Sequence, residues 1–274
     1  MEENELKDKK TFKDKFKNIN KTKLVSIIMG IVIALIILIV FIANFQSFQT
    51  RYLNTFKSWK QYSAILKGLG NTMLITILAF IIGVVLGIIT CLVQNIKSDN
   101  VFVIILKNIF KIYVAIFRGT PMLVQLLIFY YVILSTSSIE PLYVAVISFG
   151  LNSGAYVSEI IRGGINAVPQ GQVEAGRSLG LSYTQVMFKV VFPQALRNCL
   201  PSLGNELITL VKETSIVSFI SAVDLTKAFT NVAQISYDYM LVYILMGIVY
   251  FVIVFIITKI LKVVERMMMK HVRS

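Results

Sequence analysis

Long uninterrupted apolar runs constrain this chain more than any motif in it. Residues 24–45 pass without a charged side chain, and 64–93 carry only Lys67. About 20 such residues in a helix cross a hydrocarbon layer of about 30 Å. Inside lipid the backbone must satisfy its own hydrogen bonds, which leaves helices or closed barrels. A barrel needs strands of about ten residues that alternate apolar and polar, and continuous runs do not alternate. The chain is therefore an all-α polytopic membrane protein. Hydrophobic residues at 56%, a mean hydropathy of +0.76 and 15% charged residues agree.

Further runs at 121–134, 141–161, 200–222 and 239–261 bring the expected count to about six transmembrane spans. The third is short. The net charge of +13 lies mostly beside the ends of these runs, as the positive-inside rule places it, which assigns it to a membrane surface rather than to nucleic acid. Residues 1–23, with eight lysines and five acidic residues, form a basic cytoplasmic tail of the kind that stays unfolded or lies on anionic headgroups. Six crossings return the C-terminus, with Lys259, Lys262, Arg266, Lys270 and Arg273, to the same side. Both termini are expected in the cytoplasm. The apolar core of 24–45 is too long for a signal peptide and reads as an uncleaved extra N-terminal helix. Residues 46–61 bring Tyr52, Phe56 and Trp59, with the adjoining Tyr62, to an external interfacial segment, and 62–274 form the main transmembrane domain.

Within that domain, Gly83 and Gly87 have the spacing that lets two helices approach closely. Lys107 and Lys111 share a face of 101–117, an interfacial lead-in to Arg118-Gly119-Thr120-Pro121. There Gly frees the backbone and Pro breaks it, as a gate or a plain helix entry requires.

A charged, glycine-punctuated insert, 166–195, separates the fourth and fifth runs. Pro169 suits a helix start, Gly180 a helix exit, and Ser182 with Gln185 forms a capping box that opens a second helix, which Pro193 is expected to stop. Two short helices joined at a glycine make a knob able to enter a partner's cleft.

The same residues resemble the EAA loop of ABC-importer permeases, in which Glu-Ala-Ala, three residues, Gly, nine residues and Ile-x-Leu-Pro form the docking signature. Glu174, Ala175, Gly180, Val190, Phe192 and Pro193 stand at that spacing. Gly176 replaces the third alanine, and Val190 and Phe192 replace Ile and Leu. RGTP at 118–121, LVQ at 123–125, AYVSEIIRGGI at 155–165, PQALRN at 193–198 and VKETS at 211–215 resemble the polar amino acid branch, of histidine, glutamine and arginine type. The similarity runs from about Leu66 to the C-terminus.

The resemblance implies a five-helix type I permease core plus the extra N-terminal helix, in a bacterial plasma (inner) membrane. It implies cytoplasmic ABC ATPase partners that couple through Glu174, Ala175, Gly176, Gly180 and Pro193, an external substrate-binding protein, and a second permease copy in a homodimer or a sister permease. ATP and Mg would sit on the partner, with no cofactor on this chain. Indeed no Gly-x-x-x-x-Gly-Lys-Ser/Thr phosphate loop occurs. Substrates such as glutamine, glutamate, histidine, arginine, lysine or cystine follow from the resemblance alone.

A substrate path belongs where polar groups are expensive to bury. In the fifth run Ser202, Glu206, Thr209 and Glu213 recur along one helical stripe beside Lys212, fit either to line a wet passage or to pair with neighbouring helices. Asn152, Tyr156 and Glu159 share a face of the fourth run, and Gln125 lies in the third. Glu159 and Arg162, three apart, equally suit a structural ion pair.

A different class of reading makes the chain a stand-alone secondary transporter driven by an ion gradient, with Glu206, Lys212 and Glu213 as a relay. The docking insert and the lack of a visible inverted repeat weigh against it. An enzyme is not expected. His271 is the sole histidine, Cys91 and Cys199 have no metal-ligand or disulfide spacing, and no catalytic set or metal site is apparent.

Overall fold

A computed structural model describes residues 21–43, 45–96 and 98–270. The basic tail expected at 1–23 lies almost wholly outside them. The described residues are mostly helical with no strand among them, and the chain divides into Met1–Thr55 and Phe56–Ser274. The first unit holds α1, Lys21–Ala43, over most of the run expected at 24–45, and α2, Phe45–Thr55.

In the second unit Ser58 opens α3, Trp59–Asn95. Its hydroxyl accepts from Lys60 N, while Gln61 Oε1 accepts from Ser58 N. This capping box satisfies amides that a helix start leaves open. The buried stripe of α3 runs through Thr72, Ile75, Thr76, Ala79, Gly83, Gly87 and Thr90, each three or four residues from another member, so that they form one helical face. Against it lies α6, Pro141–Asn166. A Cβ on Gly83 would stand 2.6 Å from Ser153 Oγ, and one on Gly87 would stand 2.5 Å from Val157 Cγ1. The expected small-residue contact is therefore made. Its other half is Gly150 and Gly154 on α6, packed on Ile82 and on Leu86 and the Tyr113 hydroxyl.

Helix α4, Val101–Gly119, ends at the Gly-Thr-Pro break, and α5, Met122–Ile128, continues through a π turn at Phe129–Ile133. The core gathers Ile75, Ala79, Leu126, Val144, Phe149, Leu210, Val217 and Ile220. After α6 come α7, Gln170–Ser178, and α8, Tyr183–Val186. A π turn at Met187–Val191 then joins α8 to α9, Phe192–Glu213, and a tighter 3₁₀ turn spans Thr214–Ile220.

Two expectations are corrected here. Pro193 does not stop the second helix of the insert; it falls in the first turn of α9, where its missing N–H is tolerated, and the chain runs on as helix. The segment expected as a polar outer loop before Tyr237 contains α10, Leu225–Ser236, capped by Asp224. Leu225, Ala228, Phe229, Val232 and Ala233 on α10 are buried, and Asp224 O and Ala228 crowd Gly68 of α3. Thr226 of α10 shares a hydrogen bond with Tyr250 of α11, Tyr239–Lys270.

Among the described residues three helical stretches are long and apolar enough to cross a membrane, Trp59–Asn95, Pro141–Asn166 and Tyr239–Met268. Met122–Ile133 is too short alone, and α9 carries Arg197, Glu206, Lys212 and Glu213.

Candidate functional site

The insert folds as a knob with its own small core. Val168, Val186, Val191 and Ala195 are buried together, with Ile165, Val173, Leu181 and Val190 around them. Gly180 leaves α7 at φ +80, a conformation that glycine adopts without strain. The Leu181 amide then donates to Gly176 O at 3.2 Å and the Gly180 amide to Arg177 O at 3.0 Å, which closes the helix end. The capping box at α8 forms as expected, with Gln185 N on Ser182 Oγ at 3.2 Å and Ser182 N on Gln185 Oε1 at 2.8 Å. Gly176 is buried because Val186 lies where its Cβ would be, at 2.9 Å. Glu174, Ala175 and Pro193 are exposed, as are the apolar Leu179, Tyr183, Phe188 and Phe192.

The break at 118–121 is held by side chains from two other elements. Gln125 Nε2 donates to Phe117 O at 2.8 Å and to Thr120 O at 3.0 Å. Asn152 Nδ2 donates to Phe117 O at 3.1 Å and to Gln125 Oε1 at 2.9 Å. The carbonyls freed where α4 ends are thus capped from α5 and α6. Gln125 and Asn152 are both buried and spent on this clamp, and Pro121 starts α5 without a side-chain cap. Gly119 has open space around it.

Beside the clamp an open cleft of about 510 Å³ is lined by Arg118, Tyr156, Glu159, Gly163, Asn198 and Ser202, among others. Glu159 takes a two-pronged contact from Arg162 through Nε and Nη2, so the spacing of three reads as an ion pair. It also lies 3.4 Å from Arg118 Nη1. The Arg118 guanidinium stands 5.5 Å over the Tyr156 ring. Candidate gate and candidate path residues therefore meet in one place.

The polar stripe of α9 is divided. Ser202 lines the cleft, whereas Glu206 accepts a hydrogen bond from Ser153 Oγ of α6 at 2.8 Å. Thr209 and Glu213 are partly buried, and Lys212 is exposed. Sequence reasoning missed Ser153, Tyr113 and Asn198. Tyr113 donates from its hydroxyl to Leu151 O, and Asn198 Nδ2 donates to Gly164 O at 3.3 Å. For Asn198 the available signal was periodicity, since it precedes Ser202 by one turn. Cys91 and Cys199 are free and buried. Among the described residues no cluster of His, Cys, Asp or Glu is placed to hold a metal.

Residues 83–270 match the family described as binding-protein-dependent transport system inner membrane component. The chain belongs to this family. As a member of it, the chain is a permease, a transport component of an inner membrane, with the capped break, cleft and knob all inside the matched region. It is 41% identical over 208 residues to the arginine transport system permease protein ArtQ of Bacillus subtilis, covering 75% of this chain and 93% of that protein. It is 39% identical to the L-cystine transport system permease protein TcyB of the same organism, covering 75% and 86%. Among solved structures, one described as an amino acid ABC transporter with histidines superposes with a TM-score of 0.69 at 39% identity, covering 76% of this chain and 95% of that one. The inward-facing MetNI methionine ABC transporter, at 20% identity, TM-score 0.64 and 77% and 99% coverage, shares the fold.

Proposed function

We propose that this chain is the membrane-spanning subunit of an ATP-driven importer that passes a polar or charged amino acid from an external binding protein into the cell. The observation that carries the coupling half of this reading is the knob at 166–195. It is a self-cored projection that exposes Glu174, Leu179, Tyr183, Phe188 and Phe192, while its base continues without a break into α9. An exposed group of large apolar residues rimmed by polar ones marks a partner surface. Cytoplasmic ABC ATPase subunits are the partner proposed here, and they carry the ATP and Mg that this chain supplies no phosphate loop to bind. Transport systems for arginine and L-cystine among the relatives support an amino acid as cargo.

The rest of the assembly follows the same reading. Six helices, including α1, cross a bacterial plasma membrane, the knob and both termini face the cytoplasm, and a second permease copy or a sister permease completes the path. Arg118 to Pro121 form the inner gate. Gln125, Asn152, Tyr156, Glu159, Glu206, Thr209, Lys212 and Glu213 line or support the route.

The test is copurification in mild detergent followed by an ATPase assay. Recovery of a cytoplasmic ATPase that is lost on replacing Glu174 and Gly180 together supports the reading. A chain that purifies alone and transports in liposomes without ATP overturns it in favour of gradient-driven transport.

A further inference from the structure

The cleft beside the break holds charge that its own residues do not balance. Glu159 is shared by two guanidinium groups, and Arg162 takes both of its carboxylate oxygens. Arg118 reaches it only through Nη1, at 3.4 Å. One carboxylate therefore faces two cations, and Arg118 is the loosely held one. Its side chain is 43% exposed, and among the described residues its Nε and Nη2 have no partner. The Tyr156 ring, with its centroid 5.5 Å from the guanidinium carbon, supports the group from one side. A planar guanidinium fork suits a carboxylate in a two-pronged contact.

The α9 wall of the cleft offers the opposite chemistry. Asn198 and Ser202 are one helical turn apart and both line it. Asn198 spends Nδ2 on Gly164 O, which leaves Oδ1 as an acceptor. Ser202 Oγ has no hydrogen-bond partner among the described residues. These are acceptors for an ammonium group. A volume of about 510 Å³ falls within the range of small-ligand clefts, roughly 300–1,000 Å³.

We infer that this cleft binds a free amino acid at the knob end of the path, with its α-carboxylate on Arg118 and its α-ammonium on Asn198 Oδ1 and Ser202 Oγ. The inference rests on the amino acid permease reading and adds a site to it. A site there is filled from the side on which cargo is released, so accumulated product occupies it and slows further uptake.

The experiment uses the full assembly, with its ATPase and binding protein, in liposomes. Uptake of labelled L-arginine, L-cystine or L-glutamine is measured with increasing amounts of the same amino acid, or of its α-amide, loaded inside. The wild-type assembly is expected to be inhibited by the internal acid and not by the amide. Arg118→Gln raises the half-inhibitory internal concentration by about tenfold, and Arg118→Lys, which keeps the charge without the fork, by less. Ser202→Ala gives a smaller rise. Equal inhibition by acid and amide overturns the inference, and needs no variant. So does an Arg118→Gln assembly with slower uptake but an unaltered half-inhibitory concentration. If that variant's loss of rate follows the anionic lipid content instead, Arg118 belongs to a headgroup phosphate and the site is refuted. Failure of the wild type to take up any of the three amino acids overturns the underlying reading, whereas uptake without internal inhibition overturns the cleft site alone.

Discussion

Helices α6 and α11 are both apolar and both long enough to cross a bilayer, yet the chain buries 67% of the apolar window of one and 11% of the other. The less buried helix is the more apolar. On α6, Ser148, Gly150, Asn152, Ser153, Gly154, Ala155 and Ser158 turn inward. On α11, Ile244, Ile248, Phe251, Val252, Phe255 and Ile256 are exposed. Lipid tails are as apolar as leucine, so a large side chain gains little by leaving them for protein. Small residues, which bring backbones together, and polar residues, which find partners across the contact, gain more. In such a chain burial follows small and polar residues rather than hydropathy.

The most severe way to break this contrast is to enlarge the α3–α6 contact. Gly87→Leu forces side-chain atoms into Val157, and overpacking of this kind costs about 3 kcal/mol. The expected result is loss of the monodisperse peak in detergent size exclusion; an unchanged melting temperature would show that the contact yields. Next comes Ser153→Ala, which strips the partially buried Glu206 of its donor and is expected to cost about 2 kcal/mol in thermal unfolding.

Both effects should exceed that of Ser182→Ala in the knob. Removing that cap costs about 1 kcal/mol in thermal unfolding and should lower the uptake per ATP hydrolysed at temperatures where the protein stays folded. Smallest of all, Ile248→Ala on α11 should change the free energy of thermal unfolding by less than about 0.5 kcal/mol. A larger loss would mean that Ile248 packs against another chain, which would sharpen the contrast into a distinction between lipid-facing and partner-facing surfaces.

Much of this was legible where local chemistry acts alone. The capping box at Ser182 and Gln185, the left-handed exit at Gly180 and the close approach at Gly83 and Gly87 depend on few residues, and all three hold. Where tertiary contacts choose between local options, the reading failed. Pro193 is equally at home after a helix or in its first turn, and the continuous turn before it decides for the latter. The polar residues between Asp224 and Tyr237 suggested a loop, although Leu225, Ala228, Phe229, Val232 and Ala233 already carried the helical period. Gln125 and Asn152, expected on the substrate path from their polarity, also brace the broken backbone, a role that only the spatial neighbourhood of Phe117 and Thr120 discloses.

The unbroken helical course over 183–213 has a mechanical meaning. At about 1.5 Å per residue it is a rod of roughly 45 Å, whose backbone hydrogen bonding is interrupted at Pro193 and at Pro201, neither of which has an N–H to donate. A loop at Pro193 would absorb a displacement applied at the tip of the knob, whereas a continuous helix passes it on as rotation as far as Pro201, where the helix can bend. A tilt of about 10° moves the far end of such a rod by some 8 Å, wider than one helix pitch of about 5.4 Å. Because Ser202 and Glu206 lie just past Pro201 on this rod while Ser153 and Glu159 sit on α6, a lever stroke that is carried past Pro201 and leaves α6 in place separates Ser153 from Glu206 and alters the width of the cleft in the same movement.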